Sequence, residues 1–167
     1  SLVCLSPQGL IAMRDPHGVR PLVLGRIGEA YVVSSETCGL DIIGAEFIRD
    51  IEPGEMVVIN QDGIVSSKPF TKQSSRFCVF EYIYFARPDS VMENHHVYEA
   101  RKKIGVELAR ESHVDADVIV PVPDSGVPAA LGYAEETKIP FDFGIIRNHY
   151  VGRTFIQPTD LGRQTGV

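Results

Sequence analysis

Short apolar runs broken by turn residues dominate the first ninety positions. Residues 2–5 and 10–13 are apolar stretches separated by Pro7-Gln8-Gly9, which predicts two strands joined by a turn. Residues 21–24 and 31–34 predict two more strands. Residues 36–44 predict a short helix with Ser34 or Ser35 as its cap. Pro53-Gly54 marks a turn, residues 56–59 a strand, and Asp62-Gly63 a hairpin returning through Ile64-Val65. This half reads as antiparallel β-structure with a small helical insert. The pattern changes near residue 90. The aromatic run at 80–85 predicts a strand. Asn94 is the expected N-cap of an amphipathic helix whose apolar face is Val97, Ala100, Ile104 and Leu108. Residues 117–122 carry apolar side chains on both faces, as a strand of a covered parallel sheet does. Ser125 is the expected cap of a second helix over 126–136, with Pro128 in its first turn. Residues 143–146 predict the next strand. The second half therefore reads as β-α-β preceded by a helix.

Composition narrows the classes. The 167 residues are 44% hydrophobic and 23% charged, enough apolar content for a real core. The net charge of -6 argues against a nucleic-acid partner, which needs a clustered basic surface. A small phosphorylated ligand needs only a few cations or backbone N–H donors and stays open. Cys4, Cys38 and Cys78 are odd in number and far apart, which fits a reducing compartment better than a disulfide framework. No apolar run approaches the roughly 20 residues of a membrane span, so no membrane partner is expected. No signal peptide is visible. The chain begins inside an apparent strand without Met and stops without a closing element, so a piece of a longer protein is expected.

Three constellations carry chemistry. Pro123-Asp124-Ser125-Gly126 follows a strand and opens a helix, where free N–H groups can hold phosphate. Asp124 repels a bare anion unless Mg²⁺ or the backbone donors dominate. The alternative is a plain capped turn, and it is not a P-loop. Arg147-Asn148-His149-Tyr150-Val151-Gly152-Arg153-Thr154 gathers two guanidinium forks suited to diphosphate. Its alternative is an exposed polar loop. Arg14-Asp15-Pro16-His17-Gly18-Val19-Arg20-Pro21 offers His17 as a base with Asp15 as orienting acid, but an Arg–Asp pair bracing a turn is the preferred reading. The cysteines lack the spacing of zinc or ferredoxin sites and read as small buried hydrophobes. His95-His96 read as surface histidines near a helix start.

Four stretches resemble the amidophosphoribosyltransferase family: RDPHGVRPLVL at 14–24, FEYIYFARPDS at 80–90, VIVPVPDSGVPAALGYAE at 118–135 and YVGRTFIQP at 150–158. With the text between them, the likeness covers essentially the whole chain. It implies an α+β region followed by an α/β region. Residues 1–88 would be the later part of an N-terminal-nucleophile glutaminase domain of stacked antiparallel sheets. Residues 89–167 would open a type I phosphoribosyltransferase domain with a parallel sheet.

The resemblance also implies an activity for the parent protein. Ammonia from glutamine would be added to C1 of phosphoribosylpyrophosphate, giving 5-phosphoribosylamine, glutamate and pyrophosphate, the first committed step of purine synthesis. The catalytic cysteine would lie upstream, so Cys4 is not the nucleophile and no catalytic residue is expected here. Asp124, Ser125, Gly126 and Val127 match the loop that receives the pyrophosphate end. Arg147, Tyr150, Arg153 and Ile156 lie in the loop that closes over substrate and excludes water. His149 stands where many members have arginine, which leaves one phosphate contact either lost or pH-dependent. Asn94 stands where members often have glycine, and asparagine tolerates the left-handed turn. Mg²⁺ would accompany the substrate. Cys78 matches one ligand of a [4Fe–4S] cluster in the iron–sulfur branch, the other three lying beyond Val167. Purine nucleotides as feedback inhibitors, a homo-oligomer (dimer or tetramer), and a cytoplasmic location, or the plastid stroma in a plant, complete the expectation. The rivals are a non-catalytic regulatory or binding protein that keeps both folds, and another phosphoribosyltransferase.

Overall fold

Three two-residue hairpins organise the first part of the chain in a computed structural model that describes residues 1–150, 152, 156 and 158–165. Strand β1 (Leu2–Ser6) turns into β2 (Gly9–Met13) with Ser6 opposite Gly9. Strand β3 (Val23–Ile27) turns into β4 (Ala30–Ser34) with Ile27 opposite Ala30, and Gly28 supplies the positive φ of 57° that the turn requires. Helix α1 (Thr37–Ile42) and strand β5 (Glu46–Asp50) follow. Strand β6 (Met56–Asn60) then turns into β7 (Gly63–Ser67). All pairings are antiparallel. They give a four-stranded sheet in the order β1-β2-β6-β7 and a three-stranded sheet in the order β4-β3-β5.

Alternation along β3 explains how the layers stack. Leu22 and Leu24 point to one side and join Ala12, Ile51 and Val57, with Tyr31, Val33, Ile59 and Ile64 at the margins. That is a core between the two sheets. Val23 points to the other side and packs with Leu40 and Ala45, which seats α1 on the three-stranded sheet. Gly25 allows that close approach, because a Cβ there would lie 2.8 Å from both Leu40 methyls. The expected stacked antiparallel sheets are present. The expected serine cap of α1 is not: Glu36 occupies the N-cap position without a side-chain capping bond, and Ser34 Oγ accepts from the Glu36 N–H instead.

The aromatic run at 80–85 is a correction. It forms a π-helical turn (Glu81–Phe85), not a strand. A strand needs a neighbour for its carbonyls, and here the Glu81 carbonyl accepts from the Ala86 N–H within the turn while the buried Arg101 guanidinium donates to the Tyr82, Glu81 and Ala86 carbonyls. Tertiary hydrogen bonding has overridden β-propensity. Two short strands, β8 (Val91–Met92) and β9 (His95–His96), then pair around Glu93 and Asn94, at φ 46° and 64°. Asn94 is thus a left-handed turn residue and not the N-cap of the following helix.

Helix α2 (Val97–Glu111) is where expected, but its buried face differs. Val97, Arg101, Gly105 and Ala109 are buried, whereas Ile104 and Leu108 are about half exposed. The chain divides within this helix into two units, Ser1–Ile104 and Gly105–Val167. In the second unit α3 (Val127–Thr137) lies against α2, and a Cβ on Gly105 would stand 1.8 Å from the Ala129 carbonyl oxygen. Arg110 bridges to Glu136, and the Tyr133 hydroxyl donates to the Ser112 carbonyl. A short helix, α4 (Asp160–Thr165), follows. The strands expected at 117–122 and 143–146 do not form ladders among the described residues. Parallel pairing is present at one bridge, Ile119 with Phe141, and Val122, Phe143 and Ile146 stay exposed.

Candidate anion site at the turn before α3

The parallel bridge sets the register that builds the site. Ile119 donates to Pro140 and accepts from Asp142, at 2.8 and 3.0 Å. Two segments running the same way from that point bring their carboxyl ends together. One ends in the turn Pro123-Asp124-Ser125-Gly126 and the other in Arg147. Their meeting is direct: Arg147 Nη1 donates to Asp124 Oδ2 at 2.8 Å. This is the edge where open α/β sheets take ligands.

The turn is locked from inside. Gly126 donates to the Val122 carbonyl at 3.1 Å, and Val127 to the Asp124 carbonyl at 3.4 Å. A Cβ on Gly126 would sit 2.6 Å from the Val122 oxygen, so this approach requires glycine. Ser125 does not cap α3; Gly126 holds the N-cap position, and Pro128 falls in the first turn as expected. Among the described residues, the N–H groups of Asp124 and Ser125 and the Ser125 hydroxyl have no hydrogen-bond partner. They are the donors left for an anion, with the Arg147 guanidinium beside them.

Tyr150 is fully exposed, and its N–H bonds Asn148 Oδ1. Ile156 is exposed, as is His149. Arg153 lies outside the described residues. The Arg147–Asp124 pair went unread in the sequence, although its signal was there: an acid in an anion turn, and an arginine one parallel strand later.

The segment at 14–21 is structural. Arg14 is 2% exposed, and its guanidinium donates to the Arg20, Ile51 and Gly18 carbonyls and to Glu93 Oε1 at 2.9 Å. Its acid partner is therefore Glu93, Arg20 pairs with Glu81, and the expected Arg–Asp pair does not form. Asp15 braces the turn by accepting from the His17 and Val19 N–H groups, both at 3.0 Å. It does not orient the His17 ring, which faces the Ser74 carbonyl.

The three thiols differ. Cys38 is buried, Cys78 is half-buried and Cys4 is exposed, so the reading of all three as buried hydrophobes fails at Cys4. Burial pushes the Cys38 thiol up. The Cys78 N–H donates to the Val19 carbonyl. Among the described residues no three His, Cys, Asp or Glu side chains come together as a metal site, and no helix is long and apolar enough to cross a membrane.

No family model matches the chain. Individual proteins do. An amidophosphoribosyltransferase of Rhizobium etli is 58% identical across the whole chain, which covers 35% of that protein. One of Bacillus subtilis is 51% identical, again over the whole chain and 35% of the protein. Among solved structures, the glutamine phosphoribosylpyrophosphate amidotransferase of B. subtilis with ADP and GMP superposes with a TM-score of 0.86 at 49% identity, over 99% of this chain and 36% of the other. A structure described as the allosteric regulatory enzyme of purine biosynthesis gives 0.82 at 52% identity, over 95% of this chain and 34% of the other. The chain thus spans about a third of the length of these relatives.

Proposed function

The chain belongs to the amidophosphoribosyltransferase family, and on that premise we propose that the protein carrying it moves ammonia from glutamine to C1 of phosphoribosylpyrophosphate. The products are 5-phosphoribosylamine, glutamate and pyrophosphate. The observation that supports this reading is identity of 51–58% sustained over the whole chain, which includes the turn at 123–126. In this reading residues 1–88 are glutaminase and residues 89–167 open the phosphoribosyltransferase. Asp124, Ser125, Gly126 and Val127 meet the pyrophosphate end. Arg147 supplies positive charge, and Tyr150, Arg153 and Ile156 belong to a closing loop that excludes water from the activated sugar. The described residues favour backbone donation from Asp124 and Ser125, because the Gly126 and Val127 N–H groups already have partners.

Mg²⁺ fits as an ion brought by the substrate. It is commonly held by one or two carboxylates together with phosphate oxygens, and Asp124 offers one such carboxylate at the turn. When bound it supplies charge neutralisation; positioning falls to the turn and Arg147. A [4Fe–4S] cluster needs four thiolates, and among the described residues Cys78 has no thiol partners. Cys78 remains the proposed single ligand from this chain. Purine nucleotides as inhibitors, a dimeric or tetrameric assembly and a cytoplasmic or stromal location belong to the same reading. Full-length protein given glutamine and phosphoribosylpyrophosphate with Mg²⁺ is expected to release glutamate and pyrophosphate together. Failure to consume both substrates overturns the proposal.

A further inference from the structure

Among the described residues, Asp124 and Arg147 are the charged side chains that meet at the turn, and they are bonded to each other. An acid at an anion site opposes binding, and this one also occupies the guanidinium that would favour it. The pair is open to exchange: the Arg147 and Asp124 side chains are 51% and 61% exposed, and such pairs hold weakly. Asp124 Oδ1 and the Asp124 and Ser125 N–H groups have no partner among the described residues. The turn therefore has donors in reserve, while its one described cationic partner is engaged.

We propose that Asp124 withholds Arg147 from free anions, and that a divalent cation arriving with the diphosphate takes over the carboxylate and releases the guanidinium to a phosphate oxygen. The turn then selects metal-complexed diphosphate over the bare anion. The proposal rests on reading 124–127 as the pyrophosphate turn. It draws on chemistry the residues possess: a hard carboxylate oxygen for Mg²⁺, and a planar fork for phosphate.

The test titrates inorganic pyrophosphate into the full-length protein by calorimetry, once in EDTA and once in Mg²⁺. Wild type, Asp124→Asn, Arg147→Gln and the double variant are compared; thermal unfolding checks each fold, and Asp124→Ser replaces a misfolded Asn variant. In EDTA, Asp124→Asn is expected to bind about fivefold more tightly than wild type, the scale of a weak ion pair. That gain should vanish in the Arg147→Gln background. Mg²⁺ should tighten wild type more than Asp124→Asn; complexation in solution is common to both and cancels in the comparison. A gain of equal size in both backgrounds would mean simple charge repulsion and overturn the exchange. No gain at all would overturn it too. Absence of pyrophosphate binding under every condition would instead remove the pyrophosphate reading of the turn, and the exchange with it.

Discussion

Buried charge, more than apolar packing alone, fixes the details of the first unit. Arg14, Glu55, Glu81 and Arg101 are all buried, and each connects segments distant in sequence. Glu81 is raised by burial, with Arg20 pulling it back down. Glu55 shows the opposite balance. Burial pushes its carboxyl up, but Arg49 Nη1 and Nη2, the Ser66 hydroxyl and the Glu52 N–H bond it and bring it down from 4.5 to about 2. Arg49 lies on β5 and Ser66 on β7, so the carboxylate joins the two sheets. A folded-state value below the ordinary one adds stability that is fully present above the ordinary pKa and is lost as pH falls through the folded one. The displacement from 4.5 to about 2 corresponds to about 3 kcal/mol. Between pH 5 and pH 2, wild type should lose about that much more stability than Glu55→Gln. Hydrogen exchange of the β6 and β7 amides at both pH values measures it; equal losses in the two proteins would refute the assignment. None of this was legible in the sequence, where Glu55 after Pro53-Gly54 reads as one more polar turn residue.

Elements were legible where local chemistry determines them. The β1-β2, β3-β4 and β6-β7 hairpins follow from alternation plus turn residues, and both signals are contained in about a dozen residues. Strand β5 carries no such local signal, because its identity comes from pairing with β3 across a register shift between Leu24 and Gly25. The π-helical turn departs from the expected strand for the same reason at longer range: Arg101, about 20 residues on, decides its backbone. Helix α2 had the right span and the wrong face. Counting apolar residues favoured Ile104 and Leu108, whereas close helix packing favours small ones. Gly105 lets α3 approach, and that preference gives a test with opposing signs. Intrinsic helix propensity alone predicts that Gly105→Ala stabilises by about 1 kcal/mol. The Cβ placed 1.8 Å from the Ala129 oxygen demands a backbone shift, and overpacking of this kind costs about 1–3 kcal/mol or more. Gly105→Ala should therefore lower the unfolding temperature of the protein. A raised one would show that α2 and α3 are not packed through Gly105.

At the scale of the whole molecule, the turn and Arg147 were visible as motifs, but their meeting depends on a parallel register that no local pattern encodes. The thiols pose the same problem over a longer distance. Cys4 pairs with Ile11 in the middle of the β1-β2 ladder, so its nitrogen is a peptide N–H without the free amine that activates an N-terminal nucleophile. Cys38 is sealed between Glu36 and the core, its Sγ 3.5 Å from a Glu36 oxygen. Cys78 alone combines partial exposure with a pinned backbone, its N–H on Val19 and its carbonyl accepting from Glu81. A [4Fe–4S] cluster needs a thiolate held still at such a boundary, with the remaining ligands converging from elsewhere. Among the described residues no group of three or more His, Cys, Asp or Glu side chains forms around it, and in the proposed reading the other three thiolates lie beyond Val167. Iron and acid-labile sulfide in anaerobically purified full-length protein should then approach four of each per chain, and Cys78→Ser should lose most of the iron and the brown colour while glutamine hydrolysis without the second substrate persists. The serine variant keeps the size of the side chain, so loss of iron with an unchanged unfolding profile in cluster-free protein separates ligation from packing. A colourless, iron-free wild type would end the cluster reading, and iron retained in Cys78→Ser would leave Cys78 as ordinary packing beneath the π-helical turn.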